Sequence, residues 1–117
     1  MIVKFIAKDK RSTALSLECS YKVLSVEYVL KSNVCFEIKY RILNNEGIPA
    51  LYDLNIFEII DSSIDSDFIY KSYSNGNYKL IPKLISYFSF WEDFFNGDEE
   101  AEEKFLKRFP EYVGKIF

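Results

Sequence analysis

The chain contains no histidine, so the commonest general acid/base at neutral pH and the commonest metal ligand are both missing. Ser-His-Asp and Cys-His hydrolases, His-ligated zinc or iron and His-dependent nuclease mechanisms are excluded together. Cys19 and Cys35 form no Cys-x-x-Cys pair and offer too few soft ligands for structural zinc. The glycines at 47, 76, 97 and 114 are too widely spaced for a dinucleotide turn or a Walker phosphate loop, and no Ser-x-x-Lys pair occurs. No cofactor and no catalytic residue is expected.

Carboxylates and aromatic rings remain. Asp61, Asp65 and Asp67 can gather round a hard cation, but their spacing departs from an EF-hand and the glycine of that loop is lacking. Glu92 with Asp93, or Glu58 with Asp61, has the residue types of a glycosidase pair, yet near-adjacent acids in a small domain more often form a solvated face. No metal site is therefore expected. From Glu92 to Glu103 seven carboxylates (Glu92, Asp93, Asp98, Glu99, Glu100, Glu102 and Glu103) occur with no basic residue between them. Such a surface repels nucleic acid and anionic membranes and attracts a basic protein; a helix N-terminus explains part of it equally well.

Beside this acid stands Tyr87-Phe88-Ser89-Phe90-Trp91-Glu92-Asp93-Phe94-Phe95, with more rings than one helix face can bury. Leu84, Phe88, Trp91 and Phe95 follow helical spacing and are assigned to the core, leaving Tyr87, Phe90 and Phe94 for the surface. Rings next to carboxylates suit a protein-binding hot spot. The expected partner surface thus comprises Asp61, Asp65 and Asp67 with Tyr87, Phe90, Phe94 and the seven carboxylates from Glu92 to Glu103.

The elements that must position these residues divide the chain in two. At 117 residues, 49% hydrophobic and 28% charged, it fits a single globular domain over 1–117. A chain of this length buries roughly two thirds of its unfolded surface. The first 43 residues balance at +4, residues 44–103 at −10 and residues 104–117 at +3. The N-terminus lacks the pattern of a signal peptide and no apolar run reaches the ~20 residues of a membrane helix, so a cytoplasmic protein with no membrane contact is expected. Two cysteines are few for an oxidising compartment; both read as free, partly buried thiols.

Strand signals fill the first two thirds. Ile2 to Ala7 and Tyr21 to Leu30 read as strands, Ser32-Asn33 as a turn, and Val34 to Ile42 as the clearest period-two segment. It places Phe36, Ile38, Tyr40 and Ile42 on one face, with Glu37, Lys39 and Arg41 on the other. A turn at Asn44 to Gly47 leads to an edge strand from Ile48 to Asp53, marked by Pro49. Asn55 to Asp61 reads as a strand, although Leu54 to Ile60 also suits a short helix. A loop from Asp61 to Asp67 precedes a second hairpin, Phe68–Tyr73 and Tyr78–Ile81, around Asn75-Gly76-Asn77.

Pro82 suits a first helical position, while Ser89-x-x-Glu92 offers a capping box for a shorter helix; Asn96-Gly97 ends either one. Asp98 then caps a last helix with Ala101, Phe105 and Phe109 on one face, acid first and base last. The expected class is α+β: an antiparallel sheet from residues 1–81 covered by one or two helices from 82–109.

At Leu51-Tyr52-Asp53-x-x-Ile56-Phe57-Glu58-Ile59-Ile60-Asp61, Ile64-x-x-x-Phe68-Ile69, Pro82 and Tyr87 to Phe95, the sequence resembles small bacterial immunity proteins encoded beside polymorphic toxins, including those of contact-dependent growth inhibition. The resemblance is one of pattern, over about two thirds of the chain, and assigns no contact residue. It implies a cytoplasmic protein that binds and blocks the C-terminal domain of a cognate toxin, often a nuclease. The competing classes are a small carboxylate-based metal or ligand-binding domain, distinguished by a deep polar pocket, and a non-inhibitory subunit of a larger complex.

Overall fold

A computed structural model of the chain describes residues 1–8, 14–32 and 35–117. Its organising element is a 13-residue strand, β2 (Ser20–Ser32), rich in the β-branched and aromatic residues that favour a pleated surface. β3 (Cys35–Leu43) runs antiparallel along most of one edge of β2, and β4 (Pro49–Asp53) pairs with the far side of β3. Pro49 lies at the start of this edge strand, where a missing N–H costs no ladder bond. The other edge of β2 is shared. β1 (Ile2–Phe5) occupies its N-terminal end through pairs such as Val3 with Tyr21; β7 (Tyr78–Pro82) occupies the stretch Val26–Tyr28. β5 (Phe57–Asp61) extends the first branch beyond β1, and β6 (Phe68–Ser72) extends the second beyond β7.

The expected antiparallel sheet and both hairpins are therefore present. The Ser32-Asn33 turn and the start of the third segment at Val34 fall partly on residues outside those described. The turn at Asn44 closes as expected: the Asn44 Oδ1 accepts from the backbone N–H groups of Glu46 and Ile48, and Gly47 takes φ 76°. The ambiguous segment resolves into both alternatives, a 3-10 turn at Leu54–Ile56 and then β5.

Leu24 is an extra residue between the paired positions Val23 and Ser25, a β-bulge. It lets β2 supply both layers of the core. Val23 and Val26 join Val3, Phe5, Tyr40, Ile42, Ile56 and Phe57 in one cluster, whereas Leu24 joins Ile81, Ile85, Phe90, Trp91, Ala101, Phe105 and Phe109 in the second. The second cluster forms where the C-terminal helices cover one face of the sheet. At roughly 1.5–3 kcal/mol for each fully buried large apolar side chain, Phe90, Phe105 and Phe109 are the principal anchors of that layer.

The C-terminal third contains α1 (Phe90–Phe95) and α2 (Glu99–Arg108), with 3-10 turns at Lys83–Ile85 and Pro110–Tyr112. α2 follows expectation: the Asp98 carboxylate accepts from the Ala101 N–H at 2.9 Å, three acids occupy the first turn and Lys107 and Arg108 the last, and Ala101, Phe105 and Phe109 are buried. The helix from Pro82 does not form. Pro82 closes β7, and the 3-10 turn after it puts the following residues out of helical phase. Leu84, Phe88 and Phe95 are accordingly exposed, and Ile85, Phe90 and Trp91 are buried. The shorter alternative is the one found, but without a capping box: the Ser89 hydroxyl donates to Asp93 instead of capping through its oxygen. Gly97, φ 78°, ends this segment.

Candidate protein-binding face on the C-terminal helices

The first turns of α2 carry Glu99, Glu102 and Glu103, and the next turn carries Leu106. This i, i+3, i+4, i+7 spacing puts all four on one strip of the helix, where they line an open groove of about 300 Å³. The three carboxylates are exposed, and none forms an ion pair with a described residue. Glu99 and Glu103, four apart, are like charges that oppose helix formation by a few tenths of a kcal/mol. The N-terminal dipole of α2 and the Asp98 cap offset that cost.

The basic residues of the same helix are turned to internal tasks. Lys104 reaches Glu100 at 3.4 Å and lies 4.9 Å from the centre of the Tyr87 ring. The Arg108 Nη2 donates to Asp65 and to Asp67, both at 2.8 Å, and this guanidinium holds the Asp65 carboxyl below the ordinary aspartate range. α2 is thus divided along its length, with unpaired acid near its N-terminus and a compensated Asp-Arg-Asp clamp at its C-terminus. From Glu99 to Arg108 the helix rises about 13 Å.

The expected surface is correspondingly redrawn. Glu92, Asp98, Glu99, Glu100, Glu102 and Glu103 are exposed, while Asp93 is partly covered and accepts from Ser89. Asp65 and Asp67 are exposed but committed to Arg108. Asp61 is exposed at the end of β5, where its carboxylate accepts from both the hydroxyl and the N–H of Ser63 and is lowered by them. The acidic residues of the 61–67 loop therefore do not merge with those of α2 into one uncompensated patch.

The aromatic expectations are corrected most. Phe90 is fully buried, with its ring 4.8 Å from Trp91 and nearly perpendicular to the Tyr87 ring; it is a core residue and no surface anchor. Phe94 is partly buried, 5.0 Å from the Phe105 ring, and Tyr87 is partly buried under Lys104. The rings left open are Phe88 and Phe95. Leu106, which adds apolar surface to the acidic groove, is no part of the expected surface, although it follows Glu99, Glu102 and Glu103 at helical spacing.

No family model matches the sequence, and neither a curated protein nor a solved structure matches it. Among the described residues no cluster of His, Cys, Asp and Glu has the arrangement of a metal site, and no helix is long and apolar enough to cross a membrane.

Proposed function

We propose that this chain is an immunity-type inhibitor: a cytoplasmic protein that binds the basic C-terminal domain of a cognate toxin, in the first instance a nuclease, and neutralises it without catalysis. The observation that carries the reading is the strip of Glu99, Glu102 and Glu103 over Leu106, acid without internal partners around an apolar floor. An enzyme that cuts nucleic acid needs a cationic groove for phosphates. A helix presenting carboxylates in a row occupies such a groove as a decoy for the backbone. Complementary charge accelerates encounter, and the desolvated apolar centre slows release. The clamp of Asp65 and Asp67 on Arg108 supports the reading indirectly, because it fixes the C-terminal end of α2 and leaves the N-terminal end as the presenting surface.

The test replaces Glu99, Glu102 and Glu103 by Lys and measures association with the product of the neighbouring gene at two salt concentrations. The expected result is a slower association rate and loss of its salt dependence, with an unchanged circular dichroism spectrum. Unchanged kinetics remove this face from the interface; failure of the wild-type protein to bind removes the immunity reading itself.

A further inference from the structure

Strand register lays a row of charged residues across one face of the sheet. Asp53 of β4 pairs with Lys39 of β3, Lys39 with Glu27 of β2, Glu27 with Lys79 of β7 and Lys79 with Lys71 of β6. Residues directly opposite one another in a ladder share a face, and this one is the helix-bearing face, because Glu27 binds Arg41, whose guanidinium lies 4.7 Å from the Trp91 ring centre of α1. The row alternates in sign until its end, where two lysines stand next to each other. Their Cβ atoms are about 5 Å apart at such a position, and like charges there destabilise a sheet.

The other cations of the row and its surroundings are neutralised within the chain. Lys39 binds Glu37 at 2.9 Å and Asp53 at 3.1 Å, and Lys31 binds Glu37 at 2.8 Å. Glu27, next to Lys79 in the row, is taken by Arg41 and the Ser25 hydroxyl. Neither Lys71 nor Lys79 forms an ion pair with a described residue. Lys79 is partly buried, with its Nζ 5.0 Å from the centre of the Tyr73 ring, and Tyr73 is fixed by donating to the Ser86 carbonyl at 2.7 Å. Burial, offset in part by the Glu27 charge and reinforced by Arg41, holds the Lys79 ammonium below the ordinary lysine range, as for a cation drawn out of water without a counter-ion. Lys71 is exposed, so the pair opens to solvent. β2, β3, β6 and β7 together carry six basic residues and two acidic ones, and this local field favours an anion although the whole chain is at −3.

We propose that Lys71 and Lys79 form a binding site for a dianionic phosphate group, free or as a monoester. Two ammonium groups match its two charges, and each brings three donors to its oxygens; a monoanion leaves one ammonium uncompensated. Phe88, 58% exposed and with its ring 5.6 Å from that of Tyr73, borders the site where the organic part of an ester would lie. The site uses none of the residues of the acidic strip on α2 and does not rest on the immunity reading.

The test uses the full chain and three probes, inorganic phosphate, phenyl phosphate and acetate. Titrations are run at about pH 8, where both phosphates are dianionic, and at constant ionic strength, since screening weakens exposed charge contacts. Lysine side-chain and backbone NMR signals are followed. The expected result is a saturable shift of the Lys71 and Lys79 signals with both phosphates, and an affinity for acetate lower by about fivefold or more, the worth of one further charge contact at about 4 Å in water. Tighter binding of phenyl phosphate, with a shift of the Phe88 ring signals, marks a monoester as the ligand; equal binding of the two phosphates marks the free ion. Lys79→Met keeps the buried stem and is expected to lose the response while the Trp91 indole signal reports an intact fold. Lys71→Glu gives Lys79 a partner from the chain itself, and is expected to lose the response and to raise the Tm. Lys107→Met, which removes an exposed lysine of α2, is expected to retain it. Equal affinity for acetate and phosphate, no shift with either phosphate, or an unchanged response in Lys79→Met or Lys71→Glu would overturn the proposal.

Discussion

The Glu27 carboxylate and the Arg41 guanidinium meet at 2.9 Å beneath α1, with both residues under 9% exposed. Their strands bring them close, since Glu27 lies two pairs beyond the Ser25–Arg41 position in the β2–β3 ladder and so on the same face. Arg41 also donates to the Pro49 carbonyl, and Ser25 donates to Glu27, so the pair is hydrogen-bonded from both sides. The polar face expected from Glu37, Lys39 and Arg41 is hence partly an inward face.

Removing one partner of this pair leaves an uncompensated buried charge. Arg41→Ala is expected to lower unfolding free energy by about 3–5 kcal/mol. Glu27→Leu with Arg41→Met, which removes both charges and keeps the volume, is expected to cost much less than the single change. Urea unfolding of the three proteins measures the difference; a double variant as unstable as Arg41→Ala would refute the account.

Gly47 meets the C-terminal segment at close range. Its carbonyl accepts from the Phe117 N–H, and a Cβ placed on it would approach the Lys115 carbonyl oxygen to 2.4 Å and the Phe117 nitrogen to 2.8 Å, at φ +76°. Gly97 has a similar φ but open space around it. Both Gly→Ala changes are expected to destabilise, Gly97→Ala by about 1 kcal/mol from backbone strain and Gly47→Ala by clearly more. Thermal unfolding ranks them, and equal shifts in Tm would contradict the packing described.

Acid is expected to weaken the fold through Glu37. Hydrogen bonds from Lys31 and then Lys39 hold this carboxyl at about 2, against an ordinary value of 4.5. Because the group ionises more readily when folded, its contribution is fully present above pH 4.5 and is lost as the pH falls toward about 2. Asp65, lowered by Arg108, acts in the same sense. The urea midpoint is expected to fall through this window, and Lys31→Met with Lys39→Met to flatten the fall. A profile unaffected by removal of both lysines would show that Glu37 does not contribute.

Both cysteines are exposed and unpaired, not partly buried as their apolar neighbours suggested. A chromogenic disulfide reagent is expected to titrate two thiols per native chain without denaturant. Titration that requires unfolding would place them in the interior.

Much of the fold was legible because its signals are local. The alternation from Phe36 to Ile42, the Asn-Gly turn before β7 and the Asp98 cap each state their element within a few residues. The short helix α1 is one of the two alternatives the sequence offers, but its buried face is not legible, because the run from Tyr87 to Phe95 is aromatic on every side and the 3-10 turn after Pro82 moves burial from Leu84, Phe88 and Phe95 to Ile85 and Phe90. The acid of α2 was readable as composition. Its division from Asp65 and Asp67 was not, because Arg108 joins them across 41 residues or more of sequence. The face shared by Phe36 and Tyr78 was illegible for a similar reason: alternation sorts the residues of one strand, but the two lie on strands related only through their registers with β2.

The shared edge of β2 has a consequence for how the molecule is made. One edge is completed by strands far apart in the sequence, β1 at Ile2–Phe5 and β7 at Tyr78–Pro82. Until Tyr78 to Leu80 have left the ribosome, the N–H and C=O groups of Val26 to Tyr28 on that side have no partner, and a nascent chain carries an open β-edge beside apolar side chains. Synthesis and folding are thereby coupled, with a window of vulnerability to strand-to-strand association that closes when β7 docks. A fragment ending before Tyr78 is expected to be prone to aggregation and to need a chaperone, whereas the full-length chain seals the seam itself.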